Sequence, residues 1–550
     1  MLILPKKYPL LSPLVLYFCL VTFSTFASEV KIPHVFSKDT KAVADEVNQN
    51  FSALQAGTNN NWSRILQLQQ KALNFNPATS IEQQMQESLE LDAQTDIIQD
   101  FHLDREAIKS CEENNSAIAT VSIGDTKYAS VQSIMGGSKL NELYQYTIQF
   151  ETDQVLIIDD MIAQRASFNI NIATTSGKFQ GMIVAFAKID SRKREDQMLH
   201  LYSATIAPVG FNLKLYSGFR AYTENRSSEV ITQMFNMRGV SSTVAQTAVS
   251  YETIMQFNET DLNFVQRLSE REGMYFYFDQ DGDNERVFVG SGPTTGKNIE
   301  GEFSYYGRDG QNRSNSTHIY SLGKRVNQHS LSAKISGFDY IGKTIVDSQV
   351  QLSNGSGVQS YYRSDVFTQE IADIRANNLK NQIATAANQV FGSSNIPLLK
   401  AGHKLNVNDQ SGAGLGGILL LSEVKHVLIK NETNCLVYSN NFSAVPDNIA
   451  YMPTKLKQAP RFYGALNTIV TNISDPDNLM RIKVKFPWAN GNIESGWIRI
   501  ALPVGKLDSP DSFNYRPNVD DEVLISFING DPERPIAIGA LFNGVDRPPK

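Results

Sequence analysis

From residue 117 to the C-terminus apolar and polar residues alternate in short runs, most densely near the end. Arg481, Lys483 and Lys485 interleave with Ile482, Val484 and Phe486, and Trp497, Arg499 and Ala501 interleave with Ile498, Ile500 and Leu502. A period of two places each set on its own face of a strand. Val523–Ile528 and Pro535–Phe542 read as two more strands, joined around Asn529-Gly530-Asp531-Pro532. Asn and Gly tolerate positive φ and proline has no place in a central strand, so this joint is a turn. Four or five short strands within about 70 residues predict a small barrel of the OB type.

Upstream the pattern is β-rich with helices set into it. Strands are expected in 130–152, 177–190 and 199–208, and a helix over Arg226–Met237. A second helix, Glu259–Glu272, turns Leu262, Val265 and Leu268 inward; Gly273-Met274 ends it and Tyr275–Phe278 opens a strand. The alanine-rich stretch Ser364–Phe391 reads as a long helix, followed by strands at Ile418–Ile429 and Cys435–Ala444. Gly292–Lys334, rich in Ser, Asn and Gly, reads as loops with an exposed strand.

Before residue 117 the period changes to that of helices. Val43, Val47, Phe51 and Leu54 share one face, and Ile81, Met85, Leu89, Ala93, Ile97 and Phe101 recur at a spacing of four, against eight acids and Arg105 alone. Amphipathic helices packing on each other are the plain reading, and a stalk or docking arm in an oligomer the sharper one. The strict sevenfold repeat of a long coiled coil is missing.

A chain of 550 residues implies several domains, its 41% hydrophobic content fills ordinary cores, and a net charge of −7 gives no reason to expect nucleic acid as a partner. Lys6 and Lys7 precede an uncharged run, Tyr8–Ser28, that ends in small residues before Ala27/Ser28. That order describes a secretory signal cleaved after Ala27, hence an exported protein, periplasmic or secreted. A retained anchor through residues 8–28, with membrane contact, and a misplaced start are the alternatives. Cys19, Cys111 and Cys435 are far apart with no CxxC pair, so neither a zinc site nor a disulfide framework is indicated.

No catalytic constellation emerges. Asp279–Glu285 alternates carboxylates like the start of a calcium loop, but Gly282 stands fourth and Gly290 twelfth, where an EF-hand needs Gly sixth and Glu twelfth. A hairpin turn is expected there instead. Gly412–Gly417 lacks the strand–helix setting of a nucleotide loop, and the seven histidines are scattered with no HExxH or GxSxG. Asp475/Asp477 and Asp520-Asp521 sit in turns beside Pro or Asn, where solvation explains them. No cofactor, metal ligand or catalytic residue is assigned, and the chain reads as a non-enzyme.

Two sets of residues carry a family resemblance. The first is Phe486-Pro487-Trp488, Trp497-Ile498-Arg499, Arg516-Pro517, Asp521-Glu522-Val523, Asn529-Gly530-Asp531-Pro532-Glu533-Arg534-Pro535, Gly539 and Asn543-Gly544. The second is Glu259, Asp261, Phe264, Arg267, Leu268, Glu272, Gly273 and Tyr275, an acidic-aromatic helix leading through Glu-Gly to an aromatic strand. Together they resemble VgrG, the type VI secretion spike family, and the related puncturing spikes of contractile phages. The resemblance implies a mainly β chain with α insertions. Residues 1–27 are then a signal or anchor, 28–116 a helical extension, 117–330 a first tube-like hub domain with a helical insertion, 331–454 a second, and 455–550 an OB-fold barrel. The residues that hold its structural motifs are Glu259, Asp261, Phe264, Arg267, Gly273, Trp488, Trp497, Gly530, Asp531, Pro532, Arg534, Pro535, Asn543 and Gly544.

The implied role is structural. A homotrimer docks on a hexameric tube protein among baseplate proteins and carries an effector or tip protein, in type VI secretion or a prophage tail. The family's β-needle, and the lysozyme domain of some phage relatives, would follow the barrel; this sequence runs six residues past Gly544, to Lys550, so the resemblance is to the hub and barrel without the needle. The other reading is an exported adhesin or scaffold that reuses the hub fold.

Overall fold

Alternation along the strands is alternation of burial. In Arg165–Ile172 the residues Ala166, Phe168, Ile170 and Ile172 are sealed in the core while their neighbours face outward, the half-buried pattern of an antiparallel sheet. The computed structural model describes residues 117–280, 285–292, 295–307, 316–430, 435–488, 494–502 and 516–548. The expected signal or anchor and the helices before residue 117 lie outside them. The described residues belong to one unit, His102–Lys550. They are mainly β, with helices set between strands.

The first half of the hub is a set of antiparallel neighbours running from Ile118–Ile123 to Gln197–Ala207. In the second half Gly417–Lys430, Leu436–Pro446, Asn388–Ser394, Ile319–Val326, Phe303–Tyr305 and His403–Asp409 follow one another. His403–Asp409 then pairs back onto Gly417–Lys430 and closes the ring. The halves are fused. Ser130–Lys139 pairs with Gly417–Lys430 from Lys139↔Glu423 to Ser133↔Ile429, giving one 14-stranded sheet. Gly137 lies on this seam, where a Cβ would come within 2.2 Å of the Val424 carbonyl oxygen, so only glycine lets the strands approach.

The boundary expected at 330/331 cuts across this arrangement. Lys297–Asn298, Phe303–Tyr305 and Ile319–Val326 all pair within the second half. Gly292–Lys334 is therefore more than loops with an exposed strand: Ile319–Val326 runs between two neighbours with Ile319 and Leu322 buried. The long helix expected over Ser364–Phe391 covers Gln369–Ala387, starting where the Thr368 hydroxyl accepts from the Ile371 N–H. It gives way to the strand Asn388–Ser394, because Val390, Gly392 and Ser394 alternate inward. Cys435 is disulfide-bonded, a bond that the wide spacing of the three cysteines did not indicate. The strands that flank the turn expected at Asp279–Glu285, Tyr275–Asp279 and Arg286–Gly290, pair antiparallel, while residues 281–284 lie outside the described residues.

Two insertions flank the sheet. One holds the hairpin Ser217–Arg226 and Ser250–Thr260 with the helices Ser227–Met237 and Asp261–Arg271. The other is a small sheet, Thr344–Gln351, Ser332–Asp339 and Val358–Tyr362 in that order, followed by the helix Gln369–Ala387. The C-terminal barrel orders its strands Lys483–Lys485, Leu466–Asn472, Glu522–Phe527, Pro535–Ala540, Arg499–Ile500, and a bridge Ile482↔Ile498 ties the first to the last. Its core is Val470, Ile482, Val484, Phe486, Ile498, Val523, Ile525, Phe527 and Ala537, completed by Met255 and Phe257 from the hub.

Candidate functional site

The helix Asp261–Arg271 begins where the Thr260 hydroxyl accepts from the Asn263 N–H at 3.1 Å and ends at Gly273, whose φ of +71° lets the Met274 N–H reach back to the Ser269 carbonyl at 2.8 Å. Leu262, Val265 and Leu268 face the core as their spacing requires, but Asp261, Phe264, Arg267 and Glu270 are buried as well. Charges in such a setting must be paired. Asp261 accepts from Arg220 at 2.7 Å, Arg238 at 2.7 Å and Gln256 at 2.8 Å. Glu259 takes Arg267 at 2.8 Å, and the Arg267 guanidinium lies 4.9 Å over the Phe264 ring.

The barrel presents the turn 528–535 to this helix. Asn529 and Gly530 have φ of 55° and 67°, the left-handed pair that Asn-Gly adopts at low cost. Pro532 is buried and Pro535 opens the next strand. Asp531 accepts from Ser364 at 3.3 Å and stands 3.8 Å from Arg461. Arg534 spreads over the ring of Phe367 at 4.6 Å and that of Tyr340 at 5.7 Å.

At Glu533 the helix and the turn meet. One carboxylate oxygen accepts from Arg267 at 3.0 Å and from the Met255 N–H at 3.2 Å, and the other accepts from Arg271 at 2.6 Å. Burial pulls this carboxyl upward, but Arg271 and Arg267 outweigh it and hold it below the usual carboxylate range. Beside it, burial pushes Glu270 up to about 7 although it accepts from the Lys457 N–H at 2.6 Å. Lys457 stands on the linker into the barrel.

Aromatic packing completes the junction. Trp488 stacks on Phe486 at 5.0 Å and meets Phe257 and Phe219 of the hub at 5.6 and 5.1 Å. Trp497 takes Lys483 over its ring at 5.2 Å. Arg481, 2% exposed, pairs with Asp475 at 2.7 Å and with Asp477, and it reaches the Tyr340 hydroxyl. Asn543 lies apart from the junction and folds its own loop, donating to Glu522 at 3.0 Å and to Asp546 at 3.1 Å; among the described residues, no atom beyond its chain neighbours comes within 4 Å of a Cβ built at Gly544.

Most of the motif residues thus converge on one joint, whereas Asn543 and Gly544 do not. Sequence reasoning missed Arg271, Tyr340 and the central place of Glu533. Arg271 follows Arg267 by one helical turn, and that repeat was a signal. Tyr340 gave none, since it sits on a hairpin tip brought in by the second insertion. Asp475, read as a solvated turn residue, has a buried side chain and holds the buried Arg481, and Asp477, which stays exposed, pairs with the same guanidinium. Burial raises the Asp475 carboxyl, and the Arg481 hydrogen bonds bring it down to about 2. Among the described residues no cluster of His, Cys, Asp and Glu could hold a metal ion.

The architecture is that of a two-part hub followed by an OB-type barrel. Residues 138–432 match the family model of the phage tail baseplate hub (GPD), and residues 466–542 match that of the type VI secretion system/phage-baseplate injector OB domain. The chain belongs to the phage tail baseplate hub family, joined to that injector barrel. It is 21% identical to the actin cross-linking toxin VgrG1 of Vibrio cholerae, over 74% of this chain and 39% of that one. It is 23% identical to the type VI secretion system spike protein VgrG5 of Pseudomonas aeruginosa, over 76% of this chain and 56% of that one. The match therefore spans about half the length of these curated relatives or less. Among solved structures the fold is similar to that of the E. coli c3393 protein, a component of the type VI secretion system with structural similarity to the T4 bacteriophage tail proteins gp27 and gp5. The TM-score is 0.56 at 18% identity, covering 76% of this chain and 99% of that one. A chain of the Francisella PdpA–VgrG complex aligns at a TM-score of 0.54 and 10% identity, over 97% of this chain and 91% of that one.

Proposed function

We propose that this chain is the hub and spike subunit of a contractile injection machine, of a type VI secretion system or a prophage tail. Three copies dock on a hexameric tube among baseplate proteins, are driven outward and carry an effector or tip protein. The observation that carries this reading is the seam between Ser130–Lys139 and Gly417–Lys430. One chain holds two sheet halves fused edge to edge, so three chains offer six halves to a sixfold ring and reconcile the two symmetries. The division that fits this role puts 118–290 in the first hub part, 297–446 in the second and 466–540 in the barrel.

The barrel acts as a collar held at a fixed angle by the Glu533 joint. The role is mechanical, and no residue of this stretch is given chemistry. Export fits the basic-apolar-small order of residues 6–28 and the disulfide at Cys435, a bond that persists in oxidising compartments. Among the described residues no helix is long and apolar enough to cross a membrane. Deleting the chain from its own cell should abolish release of the tube protein into the medium, and the full chain should restore it. Unchanged release would overturn the proposal.

A further inference from the structure

The small sheet of the second insertion has two outer strands that differ in kind. On Thr344–Gln351, Asp347 is held at both ends. Its side chain pairs with Lys334 at 2.6 Å, and its backbone carbonyl accepts from Gln369 at 2.9 Å. The opposite strand, Val358–Tyr362, has all five residues exposed and, among the described residues, pairs only with Ser332–Asp339.

The direction of its free groups follows from the pairing. The Gly357 carbonyl accepts from Leu331, and the Arg363 N–H donates to Ser336. Residues 357, 359, 361 and 363 therefore face the neighbouring strand. Because direction alternates along a strand, the N–H and C=O groups of Val358, Ser360 and Tyr362 point outward. The devices that usually guard such an edge are missing: Val358–Tyr362 contains no proline and no charge, and its register runs without a bulge. Beside it lies a cleft of about 910 Å³, bordered by Gln359, Tyr361 and Tyr362 of this strand and by Asn378, Gln382 and Arg461 opposite. Its walls carry the half-exposed cations Arg363 and Arg461, and reach the arginines and the carboxylate of the Glu533 joint at its floor.

We infer that the outer edge of Val358–Tyr362 is a docking site for an extended segment of a cargo polypeptide, which adds to the small sheet as a fourth strand along the cleft. Only a peptide backbone offers donors and acceptors at the spacing of the free groups. The two exposed tyrosines supply flat contact area for its side chains, and Arg461 favours an acidic residue in it. The inference rests on the reading of this chain as a cargo carrier and names where one class of cargo is held.

The test is hydrogen–deuterium exchange on the full chain with a defined probe, an acetylated decapeptide of alternating threonine and valine with one central glutamate. Saturating peptide should slow exchange of the Val358, Ser360 and Tyr362 amides about tenfold or more. Ser360→Pro and Tyr362→Pro each remove one outward N–H and leave the inward pairing intact. Both should keep the parent melting midpoint and lose the protection. Three outcomes overturn the inference. One is no protection at saturation. A second is protection that survives in both proline variants. The third is amides already protected in the oligomer before peptide is added, which would mean a neighbouring copy occupies the edge. In each of these cases a trimer seen by native mass would leave the proposed function standing, whereas a monomer would remove that reading by itself.

Discussion

Three hub donors converge on the single carboxylate of Glu533, and two of them are buried arginines. Glu533→Ala leaves Arg267 with Glu259 and Arg271 with Glu272, each one partner short in a largely buried site. The expected cost is about 3 kcal/mol, the range for breaking a buried pair. Denaturant unfolding of the full chain measures it, and a loss below about 1 kcal/mol would put Glu533 among exposed pairs. Glu270 behaves in the opposite sense. Its folded pKa, about 7, lies above that of an ordinary glutamate because of burial. Its contribution is therefore complete at low pH and is lost as pH rises through about 7, up to about 3 kcal/mol. Glu285, also raised to about 7 by burial, adds to the same decline. Asp475 and Glu533, held down by arginines, lose their contributions only as pH falls through their folded pKa values. Burial also lowers the His426 pKa to about 3, which opposes this fall until about pH 6.5, so the melting midpoint should fall most clearly between about pH 6.5 and about pH 8, and Glu270→Gln should flatten part of that fall. A parent profile that is flat or rises across this window would contradict the burial of Glu270.

Short elements were legible where one local rule was enough. The helix Asp261–Arg271 follows from Thr260, the spacing of Leu262, Val265 and Leu268, and Gly273. The turn around Gly530 follows from Asn-Gly between two alternating runs, and here Gly530→Val tests the backbone itself. A Cβ at this φ of +67° is strained, and it would come within 2.8 Å of the ring of Tyr463, an exposed side chain that can move away. The strain should cost about 1 kcal/mol or more. An unchanged midpoint would show that the turn is not held in this conformation. Elements set by distant partners were not legible. Asn388–Ser394 continues an alanine-rich helical pattern, and it becomes a strand because Leu436–Pro446 and Ile319–Val326 take its two edges. Tyr340 gains its place from Glu252, Arg481 and Arg499, all far away in sequence.

For the whole molecule, the motifs were visible one by one, but their meeting at Glu533 and the fusion of the hub halves through Ser130–Lys139 were not. Strand pairing between residues nearly 300 apart leaves no periodic mark, since each strand needs only its own alternation to be sealed. The proposed function draws its stoichiometry from the same fusion. With two halves per chain, three chains would present six halves to the sixfold ring of the proposed tube. Native mass measurement of the full chain at micromolar concentration, alone and with the tube protein, tests this most directly. The account predicts a homotrimer that binds the tube ring; a clean monomer under both conditions would contradict it.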